Sequence, residues 1–283
     1  MNPNAIEEAK RIVAIACQED VGSGDVTTLA TIPTSARARA FVVAREPLVV
    51  AGLPVAAMAF RKVSAKAMVK ILVAEGKSVR AGERLLEVAG PARALLTAER
   101  VALNLVQRLS GVATVTARYV SAVNGTGAKI LDTRKTIPGL RHLQKYAVTC
   151  GGGVNHRIGL YDLVLIKDNH LAALRDAAPN AVAAAVARAR ARYPKLKVEV
   201  EADTLAQVQQ AVEAGADIIL LDNMPPAMLR RAVGLVGGRA KTEASGGVNL
   251  KTVRAIARTG VDYISVGALT HSAPAVDIAL DFC

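Results

Sequence analysis

The sequence predicts an α/β protein in two parts. A half that mixes helix and strand runs to about residue 110, and parallel β/α units then form an open or incomplete barrel. Three observations lead there. Six short apolar runs alternate with helical segments after Gly125, and strand, helix, strand at that spacing means parallel pairing. A helical period covers LLTAERVALNLVQRLSGVATVTARYVSAV from Leu95, long enough to bridge the halves. Hydrophobic residues make up 52% of the chain but aromatics only 3%, with no Trp, so the core is expected from Ala, Val, Leu and Ile.

In chain order, MNPNAIEEAKRIVAIACQEDVG reads as an amphipathic helix ending near Cys17. Alternating ARARAFVVA (Ala36 to Ala44) reads as a strand, and an apolar helix follows around Pro54–Arg61. Strands are expected near Ala67–Ala74 and Arg84–Val88, with Gly76, Gly82 and Gly90 in the turns. The long helix is expected to break near Gly111. Beyond it the strand candidates are Lys129–Leu131, Leu163–Ile166, Lys197–Glu201, Asp217–Leu221, Ala240–Glu243 and Tyr263–Val266. Helices are expected over Leu140–Thr149, Leu171–Arg192, Leu205–Ala214, Met228–Val236 and Leu250–Arg258; the alanine-rich stretch before Pro194 reads as one with a basic outer face. Six strands fall short of the eight of a complete barrel.

Thirty-six Lys and Arg against 24 Asp and Glu leave a formal charge of +12. Such an excess either steers phosphate-rich small molecules or nucleic acid or reflects the solubility choice of an Arg-rich genome, and charge alone leaves both readings open. The scarcity of aromatics argues against a protein that stacks single-stranded bases. Cys17, Cys150 and Cys283 are odd in number and lack ligand spacing, which excludes a disulfide scaffold or zinc module and suggests a reducing, cytoplasmic setting. The N-terminal segment has no apolar core of a secretory signal, and no apolar run approaches the ~18 residues of a membrane span. Neither a P-loop nor a GxGxxG fingerprint is present. Cys150 has no identifiable activating partner and reads as a buried small residue; His142 and His271 are given no role.

Chemistry in parallel β/α folds gathers at the carboxyl ends of the strands. Read off in turn, these ends carry Asp132-Thr133-Arg134-Lys135-Thr136, Lys167-Asp168-Asn169-His170, Glu201, Asp222-Asn223, Ser245-Gly246-Gly247 and Gly267-Ala268. Arg134, Lys135 and Lys167, with His156 and Arg157 from GGGVNHRIGLYD, form a cationic set. Arg offers a planar fork for carboxylate or phosphate and Lys a movable point charge. Glu201 and Asp222 fall on neighbouring strand ends, where their carboxylates suit a magnesium ion or a pair of ribose hydroxyls. SGG running into a helix start reads equally as a phosphate cradle or as an ordinary tight turn. Together these residues suit a substrate that carries carboxylates, phosphates and a sugar.

The motifs also resemble a known family. EDVGSGDVTT (Glu19–Thr28), LTAERVALNLVQRLSGVAT (Leu96–Thr114), DTRKTIPGLRHLQKYAV (Asp132–Val148), GGGVNHRIGLYD (Gly151–Asp162), IKDNH (Ile166–His170), VEVE, LLDNM, ASGG and SVGALTHS are similar, in collinear order, to the quinolinate phosphoribosyltransferases. The resemblance implies an N-terminal α/β sandwich over 1–112, to which the tail 275–283 is expected to return, and an incomplete α/β barrel over 113–274 holding the active site. It implies a homodimer in which Arg100 reaches into the neighbour's pocket. By similarity Arg134, His156, Arg157 and Lys167 would bind the two quinolinate carboxylates. Lys135, Glu201 and Asp222 would serve phosphoribosyl pyrophosphate and its Mg2+, the metal contact being direct or indirect. Ser245, Gly246, Gly247, Val266, Gly267 and Ala268 would hold the 5-phosphate, and Thr133 would join the substrate contacts. Lys135, Lys167, Glu201 and Asp222 would be the catalytic residues.

The implied reaction needs no protein nucleophile, in keeping with the lack of a Ser/His/Asp set. Two rivals stand beside it. One is a protein of the same fold associated with molybdenum transport and acting on another substrate. The other is a nucleic-acid binder using an outer basic face such as Arg188, Arg190 and Arg192, whose binding would weaken steeply with salt.

Overall fold

A computed structural model describes residues 1–283. Helices α1 (Pro3–Val21) and α2 (Val26–Thr31) lead to β1 (Arg37–Ala44), β2 (Leu48–Val49), α3 (Leu53–Val63), β3 (Met68–Ile71), β4 (Ser78–Val79), β5 (Arg84–Pro91) and α4 (Ala92–Ala122). Then come β6 (Lys129–Leu131), α5 (Arg141–Cys150), β7 (Val164–Ile166), α6 (Asp168–Ala172), α7 (Ala181–Arg192), β8 (Val198–Ala202) and α8 (Leu205–Glu213). The chain finishes with β9 (Ile218–Asp222), α9 (Pro226–Val236), β10 (Lys241–Ser245), α10 (Val253–Ala257), β11 (Tyr263–Ser265), α11 (Ala268–His271) and β12 (Ile278–Phe282). No helix is long and apolar enough to cross a membrane.

Two compact units result, one of Met1–Ala117, Lys135–Gly152 and Leu269–Cys283, the other of Arg118–Arg134 and Gly153–Ala268. Helix α5 therefore falls with the first unit although it lies between two strands of the second. In the first unit an antiparallel sheet runs β12-β1-β5-β3. Its outermost pairing joins Ala40–Ala44 to Ile278–Phe282. Local chemistry sets the helix ends. The Asn2 side chain accepts from the Ala5 amide at the start of α1, and Asp25 accepts from Thr28 at the start of α2, 3.0 Å away. Glu75 accepts the Gly52 and Leu53 amides at 2.7 and 2.9 Å, satisfying the orphan donors that open α3. The Asp25 cap yields a modest prediction. Asp25→Ala should cost about 1 kcal/mol in a denaturant melt.

In the second unit β6-β11-β10-β9-β8-β7 form one parallel sheet. They are the six strands expected from the sequence, shifted by a residue or so at their ends. The sheet stops at β6 and β7 instead of closing, which makes the barrel incomplete. A single bridge from Val154 to Leu131 continues it past β6. Glu201 lies one residue inside the end of β8, because that strand runs on to Ala202.

Three helix expectations are corrected. Helix α1 continues past Cys17 to Val21, where Gly22 caps it at φ 52°. The Leu171–Arg192 segment splits into α6 and α7, since Pro179 has no amide to continue a helix and Asn180 instead caps α7, accepting from Ala183. Finally, α4 passes Gly111 unbroken. Gly111 is there for close approach. A Cβ at this position would lie 1.9 Å from the Pro274 carbonyl oxygen. Backbone cannot retreat as a side chain can, so Gly111→Ala should destabilise the protein by about 3 kcal/mol, read as a lowered denaturant midpoint.

Candidate active site

Because all six strands of the second unit are parallel, their carboxyl ends share one rim. Asp132, Thr133 and Arg134 leave β6, Lys167 leaves β7, Glu201 sits near the end of β8, and Asp222 closes β9. Ser245-Gly246-Gly247 ends β10, while Val266-Gly267-Ala268 follows β11. Lys167 Nζ donates to Glu201 Oε2 at 2.7 Å. The Asp222 carboxyl is pushed up by burial first, then by repulsion from Glu201 and Asp203, with Lys167 opposing. Glu201 and Asp222 thus repel each other across neighbouring strand ends, with the Lys167 ammonium opposing that effect. The carboxylate oxygens are the donors a hard divalent cation takes, and a cation would relieve the repulsion.

The turns after β9 and β10 are locked together. Asn223, at φ 52°, donates its backbone amide to the Ser245 carbonyl at 2.9 Å and its side-chain amide to Asp222 Oδ2 at 2.6 Å. Gly246 has φ +91°, and a Cβ there would stand 2.1 Å from Asn223 Oδ1. The cradle reading of SGG needs one correction. No helix begins there, because Asn249 folds its own turn by accepting from Lys251 and Thr252, and α10 starts only at Val253. What the turn offers an anion is its backbone amides, with no helix dipole behind them.

Arg134 and Arg157 form a second cationic group of the same unit. The Arg157 guanidinium is lowered by burial first and then by the neighbouring Arg134 charge, and its Nη1 donates to the Leu163 carbonyl at 3.3 Å. His156 donates its amide to Asp132 Oδ1 at 2.8 Å. Its ring turns inward, placing Nε2 3.2 Å from Glu199 Oε2 and 3.4 Å from Glu243 Oε2. Nδ1 accepts the Arg157 amide at 2.7 Å. Burial would lower the His156 pKa, but the two carboxylates overcome it and push it up to about 10. The amide contact weighs the other way, since accepting it requires a bare Nδ1. Burial raises the Glu199 carboxyl, and the His156 ring opposes that rise.

Not every expected residue belongs to this unit. Lys135 and Arg100 are both exposed and lie in the first one. Lys135 follows Arg134 directly, and its carbonyl accepts from Thr270 Oγ1 at 2.7 Å. Arg100 projects from α4. Glu199 and Glu243, whose side chains are 0% and 1% exposed, were not among the expected site residues. The signal was available for Glu199. Side chains alternate along a strand, so in VEVE it must share a face with Glu201.

Comparison with known proteins covers nearly all of the chain. Residues 112–281 match the family model "Quinolinate phosphoribosyl transferase, C-terminal domain", and residues 25–110 match its N-terminal counterpart. The nicotinate-nucleotide pyrophosphorylase [carboxylating] of Mycobacterium leprae is 47% identical over 281 residues, 97% of each chain. A probable enzyme of the same name from Bacillus subtilis is 43% identical, over 93% of this chain and 89% of its own. The solved nicotinate-nucleotide pyrophosphorylase of Francisella tularensis superposes with a TM-score of 0.93 at 39% identity, covering 100% of this chain and 98% of that one.

Proposed function

The chain belongs to the quinolinate phosphoribosyl transferase family, and from that premise we propose that the strand-end rim is where its substrates meet. The reaction transfers a phosphoribosyl group from phosphoribosyl pyrophosphate to quinolinate with loss of carbon dioxide, giving nicotinate mononucleotide and pyrophosphate in NAD biosynthesis. The observation that carries the assignment of the site is the meeting of Lys167, Glu201 and Asp222 on adjacent strand ends, beside the Gly246 turn, in the same unit as the Arg134–Arg157 pair.

In this reading the work divides by charge. Arg134, His156, Arg157 and Lys167 gather the two carboxylates of quinolinate, and Thr133 adds a contact. The backbone of Ser245, Gly246 and Gly247, with Val266, Gly267 and Ala268, receives the 5-phosphate. The ring nitrogen displaces pyrophosphate at the anomeric carbon, and positive charge develops on the sugar. Glu201 and Asp222 stabilise that charge, while Lys135 and Lys167 offset the negative charge of the reacting anions. Once the ring nitrogen is cationic, it stabilises the carbanion left when the adjacent carboxylate departs. Glu201 and Asp222 would also hold Mg2+, directly or through water, and the bound ion supplies charge neutralisation for the pyrophosphate. Chelation of divalent cations should therefore abolish turnover, and added magnesium should restore it.

Arg100 enters through a second copy. In a homodimer with shared sites, mixing inactive Arg100→Ala with inactive Arg157→Ala should regenerate roughly a quarter of wild-type activity through mixed dimers. No recovery would assign Arg100 to its own chain or to no site. The free state of all three cysteines fits a cytoplasmic enzyme, and the reaction calls for neither nucleic acid nor membrane. The decisive assay supplies purified protein with quinolinate and phosphoribosyl pyrophosphate and follows carbon dioxide and nicotinate mononucleotide. Absence of quinolinate-dependent product would overturn the reading.

A further inference from the structure

Two buried acids in the parallel sheet are unused by the reaction just described. Glu199 on β8 and Glu243 on β10 flank the intervening β9 and are closed off from solvent. None of their four carboxylate oxygens has a conventional hydrogen-bond partner. Both acids approach the His156 ring, at 3.2 and 3.4 Å, and Glu199 also feels the Glu243 and Arg157 charges. Buried carboxylates are costly unless something compensates them, so this pair is expected to have a task.

A metal centre is the first possibility, because the ligand atoms of His156, Glu199 and Glu243 all lie within 4.8 Å of one another. The other ring nitrogen speaks against it. Nδ1 accepts the Arg157 amide at 2.7 Å, so Nε2 must carry the ring proton and has no lone pair for a metal. A protonated Nε2 facing two carboxylates is instead a clamp on the ring.

The ring links two places. On its inner side the carboxylates hold Nε2, and on its outer side Nδ1 holds the backbone of Arg157. That residue's guanidinium lies near Arg134 and is tied to Leu163. Around the ring stand Asp132, which accepts the His156 amide, then Arg157, Glu199 and Glu243. We propose that Glu199 and Glu243 are positioning residues for the dicarboxylate site, clamping His156 so that its ring fixes the Arg157 backbone and thereby aims the guanidinium. The proposal rests on assigning this rim to quinolinate, and it narrows the part given to His156. With both ring nitrogens engaged inside the protein, His156 serves the substrate through Arg157.

The test uses full-length enzyme carrying Glu199→Leu together with Glu243→Leu, compared with Gln at both positions. Leucine removes every acceptor facing Nε2, whereas glutamine keeps one at each site. The leucine pair should weaken quinolinate binding, read by calorimetry and as KM, by about ten- to hundredfold, the scale for groups that orient a binding side chain. Affinity for phosphoribosyl pyrophosphate should stay within about twofold, as for an independent site, and glutamine should recover most of the loss. Unchanged quinolinate affinity, or equal loss of both ligands, would overturn the proposal.

Should the leucine pair fail to fold, wild-type protein with 15N-labelled histidine gives a second reading. A proton on His156 Nε2 and none on Nδ1 is expected. A bare Nε2, a proton on Nδ1, or a metal that co-purifies in stoichiometric amount rejects the clamp. Wild-type enzyme that neither binds quinolinate nor releases carbon dioxide from it removes the functional reading, and this proposal with it. Active wild type beside unaffected variants removes the proposal alone.

Discussion

Glu201→Ala is expected to slow turnover by about 10²- to 10³-fold, the scale for losing one charge aimed at a transition state. The fold should barely register the change. Glu201 has Lys167 as its close partner, and the Lys167 side chain is 47% exposed, so the ammonium left behind is hydrated by solvent. A melting temperature within a few degrees of wild type alongside the collapse in kcat would separate chemistry from folding. Lys135→Ala should behave alike, since that exposed side chain leaves no cavity. Wild-type turnover in either variant would remove these residues from the mechanism.

Gly246→Ala is expected to be the more damaging change to binding. The added methyl meets Asn223 Oδ1 at 2.1 Å and the Asn223 backbone nitrogen at 3.0 Å. Even if the Asn223 side chain swings away, it gives up its bond to Asp222, and an alanine at 246 must still adopt φ +91°. The backbone strain alone is about 1–3 kcal/mol. If the turn cradles the 5-phosphate, affinity for phosphoribosyl pyrophosphate should fall by about ten- to hundredfold, since 1.4 kcal/mol is a factor of ten. Gly247→Ala is the matched control. Its φ of +60° lies in the left-handed region, but nothing stands within 4 Å of the added carbon. It should cost only about 1–2 kcal/mol in stability. Equal behaviour of the two variants would mean that packing against Asn223 does not shape the site.

Much of this is legible in the sequence. The parallel strands announce themselves as short apolar runs between helices, and parallel order alone dictates that Lys167, Glu201, Asp222 and Ser245 emerge on one rim. What escaped has physical reasons. Glu243 lies within KTEAS, where nothing local distinguishes a strand residue pointing inward from one at a solvated edge. Its importance comes from Glu199 two strands away and from a histidine supplied by a loop. Gly111 looked like a helix breaker because its real purpose, room for the Pro274 carbonyl, depends on a segment more than 160 residues further on. The division of α6 from α7 could have been read, since Pro179 followed by Asn180 is a stop and a fresh start. That Lys135 groups with one unit and Arg134 with the other could not.

The antiparallel sheet of the first unit has a consequence for how the molecule is made. Residues 40–44 find their neighbours at 278–282, so a growing polypeptide displays the apolar FVVA edge long before its mate exists. During that interval the edge can recruit a stranger, and pairing across such a distance is slow. Fragments ending before Ile278 should consequently precipitate, whereas the same fragments mixed with a peptide spanning 275–283 should stay dispersed.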